Sequence, residues 1–233
     1  MSENSTITRD EMRNLITKII IRFSIFPVFL GLFTLLPAGT FNYWQVYVYF
    51  AVLVIPMVFV IFYFLKKDPK FLERRTRIKE KEKAQIIIQI IFSLLFLSMF
   101  IISGLDQRFE WSNIQFYLVI LANIIILSGY ILIFFVFRQN SYASRIVEVD
   151  KNQSVISTGL YSIVRHPMYV GVIIMSIPTP IALDSWWGLL PAAAIPLGLI
   201  LRILNEEAVL KRDLPGYEEY CQETKYRLIP FAW

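Results

Sequence analysis

The sequence predicts an all-α polytopic membrane protein of about six transmembrane helices, ending in a short helical hairpin. Three observations carry this. Hydrophobic residues make up 56% of the 233 residues and the mean hydropathy is +0.56, against about 45–50% apolar residues in a typical soluble domain. Residues 23–65, 84–105, 111–137, 167–183 and 185–201 carry no charge, and a bilayer-crossing helix needs about 20 predominantly apolar residues. Lys and Arg collect in alternate connections, the pattern that sets orientation in a membrane.

The elements follow in order. The first uncharged run is too long for one helix, and Pro37-Ala38-Gly39-Thr40 breaks it. Spans are therefore expected at roughly 15–36, 43–65, 85–105, 113–137, 167–183 and 186–204. The 15–36 segment has two open readings. Lys18 and Arg22 are four apart, so it either crosses the membrane with both side chains snorkelling or lies at the interface. The last two spans are short and meet at Asp184 with almost no connection.

The 66–83 connection holds nine basic residues: Lys66, Lys67, Lys70, Arg74, Arg75, Arg77, Lys79, Lys81 and Lys83. The 138–166 connection and the C-terminal tail are also basic, whereas 37–42 and 184–185 contain no Lys or Arg and 106–112 only Arg108. Six spans with both termini in the cytoplasm satisfy this alternation. The net charge of +5 then reflects topology rather than nucleic-acid binding, and the basic loop is expected to touch anionic lipid heads. One cysteine, Cys221, and one histidine, His166, argue against an internal disulfide and a metal site. No cleavable signal peptide is expected, since the N-terminus is polar.

The chain divides near residue 140. Residues 1–140 read as a transmembrane scaffold, and 141–233 as the catalytic region. Residues 138–166 are too polar for lipid: Arg145-Ile-Val-Glu-Val-Asp150 alternates weakly, Lys151-Asn-Gln-Ser154 suggests a turn, and Ser157-Thr158-Gly159 a hinge. Arg165-His166-Pro167-Met168-Tyr169-Val170-Gly171 then opens the hairpin. Pro167 suits the first position of a helix, where its missing N–H matters least. The free N–H groups at such a start favour an anion. Gly171 permits close approach of another group, and Pro178 and Pro180 break the helix early. A plainer reading makes His166 a helix cap and Arg165 a snorkelling side chain. Later, Arg202 and Glu206 share one helical face with Leu210, and Glu207 points about 100° away. Either this is an interfacial ion pair, worth little when exposed, or a functional group at membrane depth. Tyr217, Tyr220 and Cys221 share one face of a short helix near Pro215, forming either an aromatic membrane anchor or a lid over the loop and hairpin.

At these residues the chain resembles the isoprenylcysteine carboxyl methyltransferase family, with the related phospholipid methyltransferases. The resemblance runs from about Ser154 to Pro230. It rests on Thr158-Gly159-x-Tyr161, Arg165-His166-Pro167-x-Tyr169-x-Gly171, Arg202-x-x-x-Glu206-Glu207-x-x-Leu210, and Tyr217-x-x-Tyr220 ahead of Arg227-x-x-Pro230. It implies a membrane methyltransferase that uses S-adenosylmethionine, releasing S-adenosylhomocysteine, without a Rossmann domain. It implies a cofactor pocket made by the hairpin, the preceding loop and the tail. The cofactor positions it implies are Gln153, Ser154, Val155, Ile156, Tyr161, Arg165, His166, Pro167, Met168, Tyr169, Glu206 and Glu207. Arg202 and Glu206 are expected to be catalytic, with Arg202 on the substrate side. The family often has a histidine where Gln153 stands. The expected acceptor is lipophilic: first a carboxylate of the prenylcysteine kind, then an amine or phospholipid head group. The bilayer is the expected partner, and nucleic acid is not.

Two other classes compete. A nicotinamide-dependent sterol or enone reductase would need to hold the 2′-phosphate of NADPH, for which Arg145, Arg165 and Arg227 are available, and Glu206-Glu207 close to it opposes this. A channel, transporter or chaperone subunit would want ionisable groups or repeats within the first four spans, and few such groups occur there.

Overall fold

The computed structural model describes residues 8–77, 80, 82–144, 146–150 and 153–233. Lys79, Lys81, Arg145, Lys151 and Asn152, on which parts of the sequence reading fall, lie outside the described residues. The described residues are helical with connecting loops. Among the described residues, five helices are long and apolar enough to cross a membrane: α1 Arg9–Ala38, α2 Trp44–Lys67, α4 Lys83–Phe109, α5 Phe116–Gln139 and α8 Leu189–Asp213.

Helix α1 is a single 30-residue helix. It begins with a capping box: the Thr8 hydroxyl accepts from the Glu11 N–H at 3.3 Å, and the Thr8 N–H donates to Glu11 Oε2 at 2.8 Å. It ends at Gly39, which takes the left-handed conformation (φ 66°) and returns its N–H to Leu35 and Leu36. The expected break in the first uncharged run therefore falls where the Pro-Ala-Gly-Thr segment placed it. The 66–83 connection departs from the expected loop, for it contains α3, Pro69–Arg75. Asp68 caps this helix and Pro69 occupies its first turn.

The fifth expected span is the other correction. It is two pieces, α6 Pro167–Ser176 and α7 Thr179–Ala182, separated at the proline pair. Even fully helical, the sixteen residues Pro167–Ala182 would rise only about 24 Å, less than the roughly 30 Å hydrocarbon core. The pair nevertheless reaches the opposite end of the bundle. There the Tyr43 hydroxyl donates to the Leu183 carbonyl, Gln45 Nε2 donates to Asp184 Oδ2 at 2.8 Å, and the Ile114 N–H donates to Asp184 Oδ1 at 2.7 Å. Burial holds the Asp184 carboxyl above the usual carboxylate range. Asp106 Oδ2 accepts from Ser185 at 2.6 Å and from Ser112 at 2.7 Å. The two pieces thus lead from the His166 end of the bundle to the end where α2 and α5 begin.

The core near this end is built from Val46, Tyr49, Met99, Phe100, Ile126 and Leu183. At the other end α5 packs along α6, and α4 along α8. The α5–α6 crossing is close because glycines face each other. A Cβ on Gly171 would stand 2.5 Å from Ile133 Cγ1 and 3.1 Å from the Gly129 carbonyl oxygen. This crossing fixes the start of α6, and with it His166 and Tyr169.

Candidate active site

The candidate site lies where the loop after α5, the start of α6, the later turns of α8 and the tail helix α9 Tyr217–Glu223 converge. Helix α8 runs two turns past Glu206 to Asp213. Arg202, Glu206 and Glu207 therefore lie inside a helix rather than closing one, as the end of the apolar run had suggested. The residues after Glu207 remain good helix formers (Ala, Leu, Lys, Arg), so the helix continues where hydrophobicity stops.

Glu207 is 3% exposed and gathers three partners. Arg165 Nε donates to Oε1 at 2.7 Å, His166 Nε2 lies 3.2 Å from the same oxygen, and Arg227 Nε donates to Oε2 at 3.0 Å. Arg165 Nη1 also donates to the Thr224 and Lys225 carbonyls at 2.7 and 3.0 Å. The Arg165 and His166 N–H groups donate to the Tyr226 and Arg227 carbonyls at 2.9 and 3.0 Å. The tail is thereby stitched to the start of α6. His166 is the N-cap residue of α6, but its side chain makes no capping bond; its ring faces Glu207 instead. Arg165, 7% exposed, does not snorkel.

Glu206, on the adjacent face, has a different partner. The Tyr169 hydroxyl donates to Glu206 Oε2 at 2.5 Å and accepts from Arg202 Nε at 2.8 Å. The Arg202 guanidinium also lies 5.9 Å from the centre of the Tyr169 ring, and the His166 and Tyr169 rings are stacked at 5.7 Å. One phenol thus couples a carboxylate on the cleft side to a cation one turn nearer the apolar run.

These groups border a cleft with about 810 Å³ of empty space, part of it open to solvent. Gln153, Ser154, Val155, Ile156, Tyr161, Arg165, His166, Pro167, Met168, Tyr169 and Glu206 all line it. Glu207 and Arg202 do not: Glu207 stands behind the wall, and Arg202 lies beyond Tyr169. The lining also includes Asn140, Tyr142, Ser144 and Glu148, which the sequence had not singled out. The polarity of the loop after α5 was their only signal. Tyr217 and Tyr220 are buried against Val149, Val155 and Tyr161 and line the cleft, so α9 packs over the loop. The Tyr220 hydroxyl donates to the Tyr161 carbonyl at 2.7 Å.

Gly159 (φ 61°) makes the expected hinge, and the 3-10 turn Gly159–Ser162 follows it. Asn140 Nδ2 donates to the Tyr161 hydroxyl at 3.0 Å, and burial pushes that phenol up to about 12. Such a group stays protonated at neutral pH. The Tyr217 hydroxyl is buried at the cleft and has no hydrogen-bond partner among the described residues. A buried polar group without a partner is costly, and a polar ligand in the cleft would relieve it. The cleft therefore suits a ligand with both aromatic and charged parts. It offers less to a nicotinamide 2′-phosphate: Arg165 and Arg227 both direct Nε to Glu207, and Arg145 lies outside the described residues.

No curated protein matches the chain. A family match exists nonetheless, and it begins further upstream than the sequence resemblance, taking in α5, and stops before α9. Residues 117–214, from the second residue of α5 to the residue that caps α8, match the phospholipid methyltransferase family, so the part of the chain that builds the hairpin and most of the cleft is similar in sequence to a methyltransferase family.

Proposed function

We propose that this protein is a membrane-embedded methyltransferase that moves a methyl group from S-adenosylmethionine to a lipophilic carboxylate of the prenylcysteine kind. The observation that carries this is the Tyr169 hydroxyl, which bridges Glu206 and Arg202 at the wall of an aromatic-lined cleft. The family match over α5–α8 supports the reaction class.

S-adenosylmethionine, when bound, supplies an activated methyl group on a sulfonium. The segment Gln153–Ile156, Tyr161 and the turn His166–Tyr169 would hold it, with Glu206 accepting hydrogen bonds from its ammonium or ribose. Tyrosine faces attract a sulfonium as they attract other cations. Glu207 is assigned a positioning role: it fixes Arg165, His166 and Arg227, and so the start of α6. Arg202 lies one turn nearer the apolar run, where the acceptor carboxylate of a membrane-held substrate would be met by its positive charge. Transfer breaks the methyl C–S bond, leaves that electron pair on sulfur and forms a C–O bond. It removes one positive and one negative charge together, so a dry site favours it. No general base is required, because a carboxylate is already ionised. Alignment is then the main contribution of the protein. The four long helices before residue 140 act as scaffold, and the cleft faces the cytoplasm, from which the polar donor enters.

Calorimetric titration of the detergent-purified protein tests this reading. S-adenosylhomocysteine is expected to bind, and Tyr169→Phe to weaken it about tenfold, since a hydrogen bond to a charged group contributes roughly 1.5–3 kcal/mol. Binding of NADPH without binding of S-adenosylhomocysteine would overturn it.

A further inference from the structure

The segment that joins α2 to α4 was expected to be a basic loop against lipid heads. Its described residues instead reach across the protein. Helix α3 is docked by Phe71, 1% exposed, whose ring lies 4.4 Å from that of Phe64. This docking directs the arginines that end α3 toward the loop 141–150. Arg74 Nε meets Asp150 Oδ2 at 2.7 Å, and its Nη1 donates to the Ser141 carbonyl at 3.0 Å. Its guanidinium also lies 4.8 Å from the centre of the Tyr142 ring. Arg75 Nη1 donates to the Ser144 carbonyl at 3.0 Å. Arg77 Nη1 meets Glu148 Oε1 at 2.5 Å and Asp150 Oδ1 at 3.0 Å. Glu80 Oε2 accepts from the Val147 N–H at 3.0 Å.

The described part of this loop is neither helix nor strand, so these contacts take the place of a backbone ladder in ordering it. Tyr142, Ser144, Val147 and Glu148 nevertheless form one wall of the cleft. Asp150 extends the same order to the next wall: its N–H donates to Gln153 Oε1 at 3.1 Å, and its carbonyl accepts from the Gln153 N–H at 2.9 Å. With Oε1 occupied, the Gln153 amide has its N–H donors left for a ligand.

We propose that α3 is a clamp on the donor-binding loop, and that Arg74 and Arg77, acting through Asp150, are positioning residues that set the affinity for S-adenosylmethionine. This rests on the methyltransferase reading above. An exposed ion pair is individually weak, but here several converge on one irregular segment. Each contact made in advance removes ordering entropy that a ligand would otherwise have to overcome. The clamp also distinguishes the residues that meet the loop from Lys66 and Lys67 at the end of α2, which remain suited to lipid heads.

The experiment uses the full chain in detergent, with S-adenosylhomocysteine as probe and amide hydrogen exchange of 141–150 as a second readout. Arg74→Ala and Asp150→Ala are each expected to weaken binding about tenfold. The double variant should lose less than the sum of the two single losses, because the Arg74–Asp150 contact is shared. Asp150→Glu should restore most of the affinity, and loop exchange should rise in the alanine variants even without ligand. Unchanged thermal melting separates this from a general loss of fold, and Arg74→Lys, which keeps the charge but loses the planar fork, gives a milder variant to compare. Wild-type affinity and wild-type loop exchange in the alanine variants would overturn the clamp. So would strictly additive losses, or an Arg74→Ala variant whose single defect is weaker association with phosphatidylglycerol vesicles. If the wild-type chain itself fails to bind the probe, the methyltransferase reading fails and the donor-affinity role falls with it, while loop exchange in the variants still reports whether the contacts order the loop.

Discussion

Glu206 and Glu207 are adjacent in sequence and separate in role. Glu206 faces the cleft through Tyr169, whereas Glu207 is enclosed by Arg165, His166 and Arg227. Replacing Glu207 by Ala leaves the buried Arg165 guanidinium without its carboxylate, and breaking one side of a buried pair is destabilising by about 3–5 kcal/mol. The expected outcome is a large fall in melting temperature in detergent, with loss of ligand binding secondary to it. Glu207→Gln keeps two polar atoms and should fall less. If Glu207→Ala melts like the wild type, the enclosure contributes nothing to the fold. The divergence of the two carboxylates was legible in the sequence, because consecutive helical residues point about 100° apart. Their partners were not. Arg227, Thr224 and Lys225 come from a tail whose return to α6 depends on tertiary contacts, and no local periodicity encodes it.

Among the elements, α6 depends most on a single residue. Its axis approaches α5 so closely that a Cβ on Gly129 would stand 3.0 Å from the Gly171 carbonyl oxygen, and one on Gly171 3.1 Å from that of Gly129. Gly171→Ala would place a methyl 2.5 Å from Ile133 Cγ1, too near to be tolerated without movement. Overpacking of this kind is destabilising by roughly 1–3 kcal/mol. The variant should melt earlier, and Ile133→Ala in the same chain should recover part of the loss. Recovery is the informative result, since a loss owing to α6 itself would not be relieved from α5. The long helices were legible because uncharged runs and glycine or proline breaks mark them directly. Helix α3 was not. Seven residues are too few for a hydrophobic period, and its three Lys and Arg side chains read as a topology signal. Its start carried a readable sign all the same, an Asp cap followed by Pro. The overlong α8 was missed for a related reason, because hydropathy reports where lipid ends and not where a helix ends.

Across the whole molecule, charge and aromatic residues divide the two ends. Trp44, Trp111, Trp186 and Trp187, four of the five tryptophans, are exposed at the end where α2, α5 and α8 begin. Phe109 stacks on Trp111 with ring centres 5.5 Å apart, and Trp44 lies 5.4 Å from Phe116. Such residues favour a membrane–water boundary. The opposite end carries Lys66, Lys67, Lys70 and the arginines of α3, together with the cleft. By the bias of Lys and Arg, this second end should be cytoplasmic, with both termini. The test uses the lone cysteine position. In a Cys221→Ser background, which removes the natural thiol, Asn113→Cys and Gln222→Cys place exposed thiols at the two ends. A membrane-impermeant maleimide added to intact cells should label position 113 and leave position 222 unlabelled until the membrane is opened. The reverse pattern would put the cleft outside the cell, away from the cytoplasmic donor, and the proposed function would fail with the topology. Labelling of both positions in intact cells would show that 113 and 222 lie on one side, and that the broken α6–α7 segment does not carry the chain across.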